Sequence, residues 1–355
     1  MRILKKTLSF IIVIIMSSVL VININSAISA STSAGLNYRK ITNIAIIFAN
    51  SQDPFFALTK KSLQEIENEN KDKVHFIFFD SQYNESIQNE IINSQSQKNI
   101  DSLVVYPVNS SNTIIKDMLD RAKQKNIPIL LLGISSDIVS EVYKIYDKSA
   151  FITPNSEQVG MAGGNILANL WNNDKRSIDK NTDNVLQYFL LQGNLGNEVA
   201  IGRSTGSISA LTSSRINTER LEIVNALWSE DTAKSSIENL FLKYGNKIEA
   251  IISNNDSMAI GAVKAIQKYG YNTGDKSKYI PIIGIDGLPE AKYLIDQGYM
   301  TGTVIQPTKI FATQIYLVGI NLSNNLSPIK NTNYQSMDGQ IITPFPIEVY
   351  TNKAS

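Results

Sequence analysis

The chain alternates between short apolar runs and longer stretches whose apolar residues recur at helical spacing. Residues 44–48, 75–79, 103–106 and 129–132 read as buried strands, and 55–70, 86–98 and 112–125 read as the helices between them. Asp53 sits at the cap of the first helix and Pro54 in its first turn. Strand and helix in strict alternation dictate parallel sheets with right-handed crossovers. The pattern then restarts, with helices at 159–171, 198–211, 232–244, 257–269 and 289–297 and strands at 185–191, 250–253, 282–285 and 302–305. A last helix at 310–325 and a tail strand near Ile342 close the chain. The fold class is therefore α/β, with two Rossmann-like lobes. No low-complexity linker separates them, so short hinge strands must join them. At 355 residues the chain is long enough for two cores.

Composition removes several functions. With 33 basic and 32 acidic residues the net charge is +1, which is no footprint for nucleic acid. There is no cysteine, hence no disulfide, no thiol nucleophile and no thiolate metal site. The single histidine, His75, lies in an apolar strand. The usual nucleophile and acid–base sets are thus mostly missing, and an enzyme would have to work with carboxylates.

Residues 1–30 follow the plan of an export signal. Arg2, Lys5 and Lys6 precede a largely apolar run from Leu8 to Ile22, and small residues follow at Ser26, Ala27, Ser29 and Ala30. Cleavage after this run and retention as an N-terminal membrane anchor are both open. Either places the remainder outside the cytoplasmic membrane.

Two stretches carry chemistry. At Asn254-Asn255-Asp256 three polar side chains follow the strand 250–253 and precede a helix. That is the carboxyl edge of a strand, where open α/β sheets bind ligands. Amides and a carboxylate suit a polyhydroxylated ligand better than a phosphate. Asp256 reads as the helix cap and Asn255 as a ligand contact. At 179–187, oxygen side chains occupy loop positions 1, 3, 5 and 9 (Asp179, Asn181, Asp183, Gln187), and Val185 at position 7 offers a carbonyl. This resembles the first part of a calcium loop, although position 12 is Leu190 rather than an acid; an Asp/Asn-rich turn is the alternative.

With Gly284-Ile285-Asp286-Gly287-Leu288-Pro289-Glu290-Ala291, these motifs make the chain resemble bacterial glucose/galactose-binding proteins, which are type I periplasmic substrate-binding proteins. The resemblance runs from Ile41 to the C-terminus. It implies three hinge crossovers and a sugar gripped between the lobes, one comprising 41–132 plus 306–342 and the other 133–305 plus 343–355. It implies calcium held by Asp179, Asn181, Asp183, the Val185 carbonyl, Gln187 and Glu249. It places Phe55 and Trp228 above and below the sugar ring, where C–H faces stack on aromatic rings. Asp53, Arg203, Asn255 and Asp286 become hydroxyl and ring-oxygen partners, with capping the alternative for Asp53 and Asp286 and an exposed helical position for Arg203. Four positions depart from the family pattern: Tyr106 for Asn, Asn197 for His, Val199 for Asp and Gln306 for Asn. Val199 cannot accept a hydrogen bond, and Tyr106 fills space a C6 hydroxymethyl needs. The expectation is therefore a pentose such as xylose, or another aldose held without the C6 grip. The implied partner is an ABC importer, with the sensor domain of a membrane histidine kinase as the alternative. A sugar-cleaving enzyme using Asp53 and Asp286 is the competing class. A sugar-responsive repressor would need a DNA-binding domain where the export segment lies.

Overall fold

The computed structural model describes residues 40–95, 98–153, 155–343 and 346–352, so the expected export segment lies outside the described residues. Among the described residues no helix is long and apolar enough to cross a membrane.

The first lobe is built from β1 (Thr42–Phe48), α1 (Pro54–Glu69), β2 (Val74–Asp80), α2 (Glu85–Gln95), β3 (Ser102–Val105), α3 (Asn112–Gln124), β4 (Ile129–Leu132), α4 (Ser136–Val142) and β5 (Ser149–Ile152). The second contains α5 (Ser156–Ile178), β6 (Val185–Gln192), α6 (Glu198–Ser213), β7 (Asn217–Asn225), α7 (Glu230–Tyr244), β8 (Ala250–Ser253), α8 (Asp256–Gln267), β9 (Ile282–Asp286), α9 (Pro289–Asp296) and β10 (Gly302–Ile305). The chain then returns to the first lobe as α10 (Thr308–Ser323), β11 (Gln335–Met337) and β12 (Gln340–Ile342), and ends in the second as β13 (Glu348–Thr351).

Both sheets share one plan. The strand order is β11-β12-β5-β4-β3-β1-β2 in the first and β13-β10-β9-β8-β6-β7 in the second, and only β11 and β13 run antiparallel to their neighbours. Each begins as a 2-1-3-4-5 sheet, which reverses direction between its first and third strands. Helices cover both faces, so β3 and β4 are buried along their whole length and read as unbroken apolar runs. Each sheet therefore separates two apolar clusters. The chain crosses between the sheets three times among the described residues: after Ile152, after Ile305 and after Ile342.

One boundary differs from the sequence reading. The first lobe does not end at 132, because β5 pairs in parallel with β4 and adds a fifth parallel strand. The first crossover therefore falls after Ile152.

The helix pair that carries the most polar of the predicted side chains is packed backbone to backbone. A Cβ at Gly160 of α5 would lie 2.2 Å from the Arg203 carbonyl oxygen, and one at Gly206 of α6 would lie 2.0 Å from that of Glu157. Only hydrogen fits at either crossing point. Gly206→Ala should force α6 off α5 and destabilise the fold by about 1–3 kcal/mol, read as a lower urea midpoint at unchanged slope. An unaltered midpoint would show that this crossing has slack.

Candidate binding site

The site follows from the two reversals of strand order. Where such a sheet reverses, the loops leaving adjacent strands diverge and open a crevice at their carboxyl ends. In the first sheet these loops follow β1 and β3 and carry Asp53, Phe55 and Tyr106. In the second they follow β6 and β8 and carry Asn197 and Asn255, with Arg203 on α6 just beyond, Asp286 at the end of β9 and Trp228 after β7. Eight of the nine predicted residues line one small cavity of about 50 Å³: Asp53, Phe55, Tyr106, Asn197, Arg203, Trp228, Asn255 and Asp286. The ninth, Gln306, lines a neighbouring cavity of about 350 Å³ on the hinge side. Phe55 packs on the apolar cluster of the first lobe and Trp228 on that of the second, so both lobes contribute an aromatic wall.

Trp228 is delivered by unusual backbone. Leu227 and Trp228 both take positive φ, 55° and 61°, which turns the chain back over the β6 loop. A Cβ at Gly193 would lie 2.1 Å from the indole, so the ring lies directly on bare backbone. The Arg203 guanidinium lies 5.8 Å from the same ring.

Arg203 is buried, not exposed on its helix. Its Nη1 donates to the Asn254 carbonyl at 2.7 Å and to Asp286 Oδ1 at 3.3 Å. Its Nε is buried with no partner. Asp286 itself takes φ of 131°, a strained conformation for a residue with a side chain. It does not cap α9, whose N-cap is Leu288. Burial lifts the Asp286 carboxyl well above the usual range; Arg203 opposes this, while Asp256 and Asp53 reinforce it. Burial likewise raises Asp53, whose carboxylate accepts the Phe55 N–H at 2.9 Å, the Phe56 N–H at 3.4 Å and the Tyr83 hydroxyl at 3.4 Å. Asp53 thus caps α1 and faces the cavity at once. Tyr106 stacks edge-on against Phe56 at 4.8 Å, and burial pushes its hydroxyl up to about 12, so it remains a neutral donor.

The capping assignment at α8 is reversed from the sequence reading. Asn255 is the cap, accepting the Met258 N–H at 3.0 Å, while its amide donates to the Trp228 carbonyl at 3.3 Å. Asp256 is instead buried inward, accepting the Leu288 N–H at 2.8 Å and the Thr303 hydroxyl at 2.6 Å. Asn197 is also a cap, accepting the Ala200 N–H at 3.0 Å. Two polar cavity residues escaped sequence reasoning, Tyr83 and Asn194, both in turns just beyond strand ends. The Gly193-Asn194-Leu195-Gly196 turn follows β6 at the reversal, which was the available signal.

The loop after α5 ties its oxygen side chains together. Asn181 donates to Asp183 at 2.9 Å, Gln187 donates to Asp183 at 2.8 Å, and Asn184 N–H donates to Asp179 at 3.1 Å. Glu249 accepts the N–H groups of Lys180 at 2.7 Å and Gln187 at 3.1 Å, which brings the distant acid onto the loop. Burial, with Asp179 adding to it, raises the Glu249 carboxyl. Asp179 Oδ1 is buried with no partner, and Lys175 Nζ stands 3.5 Å from Oδ2. Among the described residues no three acidic or histidine side chains converge closely enough to hold a metal alone. A cation here would rest on the mixed acid, amide and carbonyl set, and the orphaned Asp179 oxygen fits that requirement.

Residues 44–325 match the family model described as the periplasmic binding protein domain. The chain belongs to that family. It is 28% identical over 316 residues to the D-galactose/methyl-galactoside binding periplasmic protein of Haemophilus influenzae, covering 88% of this chain and 91% of the relative. It is 25% identical to the D-allose-binding periplasmic protein of Escherichia coli, over 84% of this chain and 91% of that one. Among solved structures, a solute-binding protein from Bacillus halodurans with bound myo-inositol superposes with a TM-score of 0.68 at 24% identity, over 89% of this chain and 96% of that one. These relatives are solute-binding proteins, and the chain is a binding protein rather than an enzyme.

The inward turn of Asp256 has a pH signature. Burial pushes its carboxyl up to about 6 from an ordinary 3.8. A raised folded-state value means the stabilising proton is held below the unfolded value and lost as pH rises through the folded one. Asp256→Asn, which mimics the protonated form, should make shallower the decline in unfolding free energy that wild type shows between about pH 4 and 6.5, leaving the part due to Asp53 and Asp286. Parallel pH profiles for the two proteins would contradict the buried placement.

Proposed function

We propose that the protein captures an aldose outside the cytoplasmic membrane, closes its lobes around it and presents it to a membrane ABC importer. The carrying observation is that Phe55 of one lobe and Trp228 of the other wall a single cavity edged by Asp53, Arg203, Asn255 and Asp286. Aromatic rings take the C–H faces of a sugar, and the acids and amides take its hydroxyls, whereas the cavity offers a phosphate no glycine-rich loop. The relatives named for galactose, allose, ribose and xylose support this ligand class. At about 50 Å³ the ring cavity has room for about four waters, so admitting a sugar requires the lobes to part.

Within the class, a pentose such as xylose fits best. The Tyr106 ring stands in the cavity wall against Phe56, and Asn197 is committed to its helix cap. A C6 hydroxymethyl would meet bulk at the first and a partly used amide at the second. A buried hydroxyl left unpaired costs about 1–3 kcal/mol, enough to separate a pentose from a hexose. Isothermal titration with xylose, arabinose, ribose, glucose and galactose should show a pentose bound most tightly. Tight glucose binding with no pentose binding would overturn this preference. Trp228→Ala should weaken the bound sugar about 100-fold while the thermal midpoint stays near wild type. Undiminished affinity would remove the stacking role.

Asp179, Asn181, Asp183, the Val185 carbonyl, Gln187 and Glu249 are proposed to hold a structural calcium ion. The ion would neutralise acids that the fold gathers at this loop. A ligand bound only by the folded state stabilises it by mass action, so chelation should lower the melting temperature and calcium should restore it. A melt unchanged by chelator would make this loop an ordinary turn.

A further inference from the structure

The hinge-side cavity calls for a ligand that the ring cavity does not supply. At about 350 Å³ it falls within the range of small-molecule pockets, about 300–1,000 Å³. The two cavities share four wall residues, Phe55, Tyr106, Val199 and Arg203, so they adjoin across these side chains. All three crossovers contribute to the larger one, through Thr153, Gln306 and Thr343.

The chemistry of the junction is directional. Val199 and Phe55 offer no hydrogen bond. Arg203 only donates, and its buried Nε has no partner. A hydroxyl passing between them would find a donor but, apart from the Tyr106 oxygen, no acceptor. An ether oxygen only accepts, so it meets the junction without leaving a donor unpaired.

Beyond the junction the wall is neutral. Among the described lining residues Arg203 alone carries charge. Much of the polar side-chain capacity there is spent internally. Gln314 donates to the Thr343 hydroxyl at 2.7 Å, Gln340 accepts from Ser136 at 3.1 Å, and the Asn155 side chain caps α5 through the Gln158 N–H at 3.4 Å. The Thr153 hydroxyl is the other buried atom on this wall without a partner. Phe311, 5.7 Å from Phe55 ring to ring, together with Ile152, Val159, Ile341 and Ile342, gives the space an apolar lining.

We propose that the hinge-side cavity is a second subsite that takes the apolar aglycone of a glycoside. The sugar ring occupies the cavity between Phe55 and Trp228, the bridging oxygen accepts from Arg203, and the aglycone lies among Phe311 and the hinge aliphatics. This rests on the aldose reading and adds the substrate class.

The test is calorimetric titration of the full chain with the best-binding free aldose, its phenyl glycosides in both anomeric forms, and its disaccharide. One phenyl anomer should bind about tenfold or more tighter than the free aldose, because its ring leaves water for an apolar wall. Ile342→Trp, which fills the subsite from a half-exposed strand position, should reduce the ratio of glycoside to free-sugar affinity about tenfold. Free aldose bound with both phenyl glycosides equal or weaker overturns the inference and leaves the aldose reading standing. A disaccharide preferred over both phenyl glycosides also overturns it. If neither sugar nor glycoside binds, the aldose reading falls, and the inference falls with it.

Discussion

One guanidinium balances the charge of the cleft. Arg203 is buried among three carboxyls whose ionisation the surroundings resist, and it pairs directly with only one of them, Asp286. Breaking such a pair leaves a buried charge without compensation, which costs far more than the pair contributes. The arrangement survives because its geometry is imposed from outside the site. Glycines 160 and 206 let two helices touch along their backbones, and that contact fixes where the arginine emerges. The strained Asp286 backbone and the doubled positive φ at Leu227 and Trp228 belong to the same economy. Strain is tolerated where surrounding structure determines it, and here it aims side chains into one cleft.

Two sheets with the same five-strand core order, joined by short crossovers, explain why the site lies between lobes rather than within one. Each reversal of strand order opens half a crevice, and neither half presents aromatic walls on both sides. A ligand that touches both halves stabilises the closed arrangement by its differential affinity for it. The hinge-side cavity lies among the three crossovers, through Thr153, Gln306 and Thr343.

Much of this was legible in the residues because parallel strands buried on both faces leave long apolar runs. Where legibility failed, tertiary partners were responsible. β7, with the sequence NTERLEIVN, is an edge strand with charged side chains, so its apolar signal is diluted. β5, with the sequence SAFI, has only two large apolar residues where β4 has four, so its apolar signal is weak, and the expected lobe boundary at 132 falls one strand early in consequence. The α8 cap was misassigned because Asp256 is drawn inward by Leu288 and Thr303, partners 32 and 47 positions away that no local spacing reveals. Asn255 then serves as both cap and cavity wall.

The central claim is that one sugar ring lies between Phe55 and Trp228 with both lobes in contact. A crystal structure of the protein with its best-binding monosaccharide tests this directly. The account predicts the ring flanked by these two aromatics, with Asp286, Asn255 and Arg203 within hydrogen-bonding distance of its oxygens. A sugar contacting one lobe alone, or one seated away from Trp228, would contradict it.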